Sequence, residues 1–131
     1  MPDAAYVQAY RRAVFNAAMS VRDDHAKNFA FIIGRKQQWE LSPAYDLTYM
    51  DGPGGHHTST FAGSTSRDPT REDLLRLADY YRVDRQPAAR MIDDMLEVAA
   101  ELGPVALKLG AGKDTVGPMV HRLREIARSL R

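Results

Sequence analysis

The sequence predicts a mainly α-helical domain that carries one small β-hairpin. Three observations lead there. Apolar residues recur at three- and four-residue steps in four separate stretches, the spacing of amphipathic helices. One β-prone run, a glycine-led turn and a second such run stand between the first and second of those stretches. The chain has 131 residues, 44% apolar and 27% charged, which suits one globular domain over residues 1–131 with one core rather than a disordered polymer.

The first helix spans about residues 4–20: Val7, Tyr10, Val14, Ala17/Ala18 and Val21 form its stripe, and Arg11, Arg12 and Asn16 fall off it. Asn28-Phe29-Ala30-Phe31-Ile32-Ile33 reads as a strand, Gly34 to Gln38 as a turn, and Trp39-Glu40-Leu41 as the return strand. Pro43 cannot donate to a ladder, so pairing should stop near it, and Trp39 is expected to anchor the hairpin on the helical core. Asp51-Gly52-Pro53-Gly54-Gly55 is a break, and the Ser/Thr-rich stretch from His56 to Ser66 has no period. Thr70-x-x-Asp73 is a capping box that opens the second helix, with Leu74, Leu77, Ala78 and Tyr81 on its inner face. Ala88, Met91/Ile92, Met95, Val98/Ala99 and Leu102 mark the third, with Gly103-Pro104 as its expected stop. Val116, Met119/Val120, Leu123, Ile126/Ala127 and Leu130 mark the last, with Pro118 tolerable only in its first turn. The methionines on these faces should simply pack.

Composition removes several classes of function. The chain has no cysteine, which excludes disulfides and thiolate metal sites. Its net charge of +1 implies no global attraction to nucleic acid. No run approaches the ~20 apolar residues of a membrane span, and Met1-Pro2-Asp3 does not begin a signal peptide, so no membrane association and a cytoplasmic location are expected.

The chemistry concentrates in Arg22-Asp23-Asp24-His25-Ala26-Lys27-Asn28, where Asn28 follows Asp23 by five positions, and in Ser42-Pro43-Ala44-Tyr45-Asp46-Leu47-Thr48. The hairpin lies between the two segments, so its open ends bring Asp23, Asn28 and Asp46 toward one place. A protein-kinase catalytic loop has the same internal spacing: a base Asp, an Asn five residues on that holds magnesium, and a metal-binding Asp on a following strand. In-line phosphoryl transfer needs an acceptor for the hydroxyl proton and hard oxygen ligands for Mg²⁺.

Phe15-Asn16, the run Asp23 to Phe29, and Trp39-x-Leu41 through Thr48 resemble the C-terminal part of HipA-like serine/threonine kinases, the bacterial toxins of HipA/HipB toxin–antitoxin systems. The likeness covers about residues 10–50; the helix opened by Thr70 to Leu75 agrees more loosely. It implies the helical C-lobe of a kinase-like fold, with the catalytic loop and the metal-binding Asp carried on the hairpin. Asp23 would then accept the proton of the substrate hydroxyl, Asn28 and Asp46 would hold Mg²⁺, and His25, Lys27 and Tyr45 would lie beside the ATP phosphates. Val21 stands where the family usually carries Asn.

The same resemblance implies partners. The family's ATP site also uses an N-terminal lobe with a phosphate-covering loop, an ATP-pairing Lys and a hinge. Nothing before Tyr6 supplies them, so the expectation is a C-terminal half that transfers no phosphate alone. A protein substrate, a HipB-like antitoxin and, through it, operator DNA are the further partners. Tyr45, Leu47 and the flanks of the hairpin should be an exposed apolar face that supports self-association or capture of another protein.

Two other readings compete: a non-catalytic interaction module that binds the antitoxin–operator complex, and a metal-dependent phosphohydrolase built from Asp23, Asp24, His25 and Asp46. Asp24 is as readily a loop hydrogen-bonding residue as a catalytic one. Asp51, His56 and His57 lack the further ligands of a zinc site. Gly110-Ala111-Gly112-Lys113-Asp114-Thr115 fails as a P-loop: Leu107 stands where the first glycine belongs and Asp114 where Ser or Thr belongs, so a loop between helices is expected. Arg122, Arg124, Arg128 and Arg131 read as a solvated basic face near a helix C-terminus.

Overall fold

In a computed structural model, which describes residues 3–50 and 68–131, four helices surround one core and a two-stranded hairpin stands at their edge. Helix α1 spans Asp3–Ala18, strand β1 Phe31–Ile33 and strand β2 Trp39–Leu41. Helices α2, α3 and α4 span Arg71–Tyr80, Arg85–Lys108 and Lys113–Leu130. The break after Met50, the His56/His57 pair and the Ser/Thr-rich stretch lie outside the described residues. Among those described, no helix is long and apolar enough to cross a membrane.

The core follows the helical stripes. Tyr10, Val14 and Ala17 of α1 meet Leu74, Leu77 and Ala78 of α2, Ala88 and Ile92 of α3, and Leu123, Ile126 and Leu130 of α4. Burial of such side chains is the main favourable term in folding. Tyr10 is fully buried and its hydroxyl donates to the Leu74 carbonyl at 3.1 Å. Burial raises its pKa to about 12 against the opposing charge of Arg71. Met91, Met95 and Met119 pack against the same cluster.

Helix starts and stops have separate causes. Thr70 and Asp73 form the expected capping box: the Thr70 hydroxyl accepts from the Asp73 N–H, and Asp73 accepts from the Thr70 N–H. Three helices end on a left-handed residue: Ser20 (φ 53°), Arg82 (φ 53°) and Gly110 (φ 93°). After each, a backbone N–H reaches five residues back: Val21 to Asn16, Val83 to Ala78, and Ala111 to Ala106. This bond satisfies a carbonyl that the helix end would leave open.

The structure corrects several expectations. Helix α3 does not stop at Gly103-Pro104 but runs on to Lys108, and Gly110 supplies the turn. Gly103 is a packing site instead: a Cβ there would lie 2.4 Å from Val120 Cγ2, so the missing side chain lets α4 approach. Pro104 removes a single N–H from the helix interior. Pro118 lies in the second turn of α4, not the first, because that helix begins at Lys113. The linker between α3 and α4 is therefore shorter than the glycine-rich run suggests.

The hairpin is also smaller than expected. Asn28 lies in a 3₁₀ turn over Ala26–Asn28, and only Phe31–Ile33 pairs, in antiparallel register Phe31↔Leu41, Ile32↔Glu40 and Ile33↔Trp39. Trp39 does not anchor the hairpin. It is 64% exposed and its cross-strand partner Ile33 63% exposed, because both lie at the end nearest the turn. The attachment is made at the other end: the Ser42 N–H donates to the Ala30 carbonyl at 2.8 Å, and the Arg12 guanidinium of α1 donates to the Ser42 carbonyl.

Candidate functional site

The C-terminal end of α1 positions the site. Ser20 turns the chain out of the helix, and Val21 forms a parallel bridge with Met50. The Met50 N–H donates to the Ser20 carbonyl at 2.9 Å, and the Ser20 hydroxyl donates to the Met50 carbonyl at 3.1 Å. The two motif segments, 22–28 and 42–48, therefore start and finish beside the same helix end. Val21 takes part in this bridge through its backbone, which any residue type can do.

Arg22 points inward. It is fully buried, its Nε donates to the Ser20 hydroxyl at 3.1 Å, and its Nη2 meets Asp68 at 2.5 Å. Asp68 also receives Arg122 of α4 at 2.7 Å. Burial pushes the Asp68 pKa up, but hydrogen bonds from Arg22 and Arg122, and their charges, outweigh it and hold the carboxyl below the usual range. Arg122 is thus part of an ion network, not of a solvated face as the sequence suggested. Asp24 is buried too, only 3% exposed.

From His25 onward the loop turns back to the surface. The Asn28 side-chain NH₂ donates to the Asp23 backbone carbonyl at 2.8 Å, a bond that leaves its Oδ1 uncommitted. His25 Nε2 lies 3.5 Å from Asp23 Oδ1, with both side chains partly exposed, and His25 Nδ1 is buried without a hydrogen-bond partner. Lys27 is exposed, and its carbonyl accepts from the Tyr45 hydroxyl at 2.7 Å. That bond ties the second motif segment to the first. Asp46 is exposed and adopts a left-handed backbone, φ 55°, a region that Asp tolerates better than most residues.

Asp23, Asn28, Tyr45 and Asp46 all line one cleft, together with Arg12, Asn16, Val21, Asp24, Phe29, Ala44 and Leu47. His25 and Lys27 stand outside this lining. The free volume is about 10 Å³, which suits one water or ion and not a nucleotide. The carboxylates and amides of its lining, Asp23, Asp24, Asp46, Asn16 and Asn28, offer oxygen ligands. Mg²⁺ typically takes one or two carboxylates, keeps several waters and leaves places for substrate phosphates, so the set fits that ion. Among the described residues no group of three or more His, Cys, Asp or Glu could hold a metal.

Arg12 and Asn16 escaped sequence reasoning as site residues, because both fall off the apolar stripe of α1 and read as solvent-facing. Asn16 is instead buried, at 4% exposed, and Arg12 half-buried. The Phe15-Asn16 pair within the family-like run was the available signal.

No curated protein and no solved structure matches the chain. A family model described as the HipA-like C-terminal domain matches residues 1–102. That span takes in the cleft and most of the core, and the chain belongs to the HipA-like C-terminal domain family.

Proposed function

We propose that this chain supplies the catalytic loop and metal ligands of a HipA-like protein serine/threonine kinase. The observation that carries the reading is the convergence of Asp23, Asn28 and Asp46 on one cleft. Asp23 accepts the proton of a Ser or Thr hydroxyl as that oxygen attacks the γ-phosphorus of ATP; the new P–O bond forms as the bond to ADP breaks. Asn28 Oδ1 and the Asp46 carboxylate would hold Mg²⁺, which would supply charge neutralisation for the phosphate oxygens. His25 and Lys27 approach those phosphates from the rim, and Tyr45 fixes the loop through the Lys27 carbonyl.

A cleft this small gives ATP no pocket of its own, so the nucleotide is held against an N-terminal lobe. That lobe covers the exposed apolar surface of Phe31, Ile32, Ile33, Trp39, Tyr45 and Leu47. The same surface favours a second reading, an interaction module that binds a HipB-like antitoxin, with operator DNA beyond it, or a second copy of the chain. A protein hydroxyl is the substrate and the cytoplasm the setting.

Single-turnover assays with labelled ATP decide between the readings. Transfer should be negligible for this chain alone, appear when a HipA-like N-terminal lobe is supplied in trans, and vanish again in Asp23→Asn. Robust transfer by the chain alone, or transfer that survives Asp23→Asn, would overturn the assignment.

A further inference from the structure

The cleft contains two buried polar atoms without hydrogen-bond partners: Asn16 Oδ1, an acceptor, and Arg12 Nη1, a donor. Buried polar groups are nearly always satisfied, so each such atom needs a cause. The two residues are four apart on α1 and share one face of it. Neither atom is spent on the helix or the hairpin. The backbone carbonyl of Asn16, not its side chain, takes the Val21 N–H. The Arg12 bond to the Ser42 carbonyl uses Nη2 and leaves Nη1 over.

A donor and an acceptor without partners, on two residues that line a space the size of one water, describe a hydration site. A water there accepts from Arg12 Nη1 and donates to Asn16 Oδ1 with opposite sides of the same molecule. The cleft volume of about 10 Å³ admits one such molecule. The other polar residues lining that space include Asp23, Asn28 and Asp46. Mg²⁺ sheds its waters reluctantly and commonly keeps several in a protein site.

We propose that Asn16 and Arg12 hold one water of the cation's shell at the floor of the cleft, so that Asn16 is a positioning residue of the metal site. The proposal rests on the reading of Asn28 and Asp46 as metal ligands. It adds that α1, and not only the catalytic loop and the segment after the hairpin, sets where the ion sits. Groups one shell away from a metal commonly change its affinity by about 10- to 100-fold when removed.

The test is Mn²⁺ binding to the full chain, with free Mn²⁺ counted by electron paramagnetic resonance, beside thermal melts of the metal-free protein. Asn16→Leu has nearly the same shape without the amide. It should weaken Mn²⁺ binding about tenfold, while the metal-free variant still melts as a folded protein. Asn16→Asp, which keeps an oxygen at the same place, should retain binding and stands in if the leucine variant does not fold. Asp46→Asn should weaken binding in either case. Normal Mn²⁺ affinity in Asn16→Leu, or lost affinity in Asn16→Asp, would each overturn the role of Asn16. If those results came with weakened binding in Asp46→Asn, the metal reading would stand without it. If Asp46→Asn bound Mn²⁺ like the wild type, both would fall together.

Discussion

Asp68→Asn tests whether the ion network around Arg22, at the start of the Asp23–Asn28 loop, contributes to stability. Arg22 is fully buried and Asp68 about a quarter exposed, and their atoms are 2.5 Å apart. Removing one member of a buried ion pair costs about 3–5 kcal/mol, because the other charge is left without compensation. Three features lower that figure here. The replacement amide still offers one acceptor, solvent reaches Asp68, and Arg122 retains Glu125 at 3.2 Å. We expect a loss of about 2 kcal/mol at pH 7. With an unfolding entropy of about 2.1 cal/mol/K per residue, that is a fall of about 7 °C in melting temperature. The pH dependence has a fixed sign. The folded-state pKa of Asp68 is depressed, so its stabilisation is fully present above the unfolded carboxylate value of about 3.9 and fades as pH falls through the folded value. Urea titrations of both proteins at pH 7 and stepwise below about pH 4 measure the gap, which should narrow as the wild-type carboxyl takes up its proton. A gap under about 0.5 kcal/mol at pH 7, the ordinary range of surface changes, would refute the network's role. So would a gap that widens in acid.

Two further outcomes follow from packing. Gly103→Ala should destabilise by about 1–3 kcal/mol despite the better helix propensity of alanine, because its Cβ meets Val120 Cγ2 at 2.4 Å; calorimetry should show part of the loss recovered in Gly103→Ala/Val120→Ala. Leu47→Lys should reduce any concentration-dependent association seen by sedimentation, since Leu47 is 45% exposed within the apolar face beside the cleft. A wild type that stays monomeric at high concentration would remove self-association from the readings of that face.

Much of the fold was legible because it rests on periodicity and local hydrogen bonding. The α1 stripe, the α2 capping box and the antiparallel hairpin each need only nearby residues to specify them. The errors fall where a distant partner decides. Gly103-Pro104 has the form of a helix stop, yet the contact with Val120 on α4 makes the glycine a packing site, and Gly110 ends the helix. Ser20 and Arg82 end helices in a conformation usually left to glycine, so nothing in their identity announces it. Trp39 is another such case, expected to anchor the hairpin on the helical core. A strand of three residues whose far end overhangs the core leaves it outside. The spacing of Asp23, Asn28 and Asp46 was legible, whereas Asn16 was not, because an off-stripe polar residue on a helix is usually solvated.

The cleft is held by polar contacts, not by the core. Among the described contacts that fix it are the Ser20–Met50 exchange, the Arg12–Ser42 bond, the Tyr45–Lys27 bond and the Asn28–Asp23 bond, while the hairpin leaves its large apolar side chains exposed. A typical hydrogen bond contributes only about 1 kcal/mol net, and less where water competes for its partners. Two of these contacts, from Arg12 and Ser20, reach back to α1 and the turn that ends it. That helix is locked into the core by Tyr10, Val14 and Ala17. Rigidity therefore enters the site from α1: the helix is fixed by apolar packing, and it passes its position to Asp23, Asn28 and Asp46 through short polar links. A change at Arg12, Asn16 or Ser20 should disturb the geometry of Asp23, Asn28 and Asp46 more than an equally costly change in α3 or α4. The residues that set the site thus lie up to nearly two turns inside α1, before the loop from Asp23 to Asn28 begins.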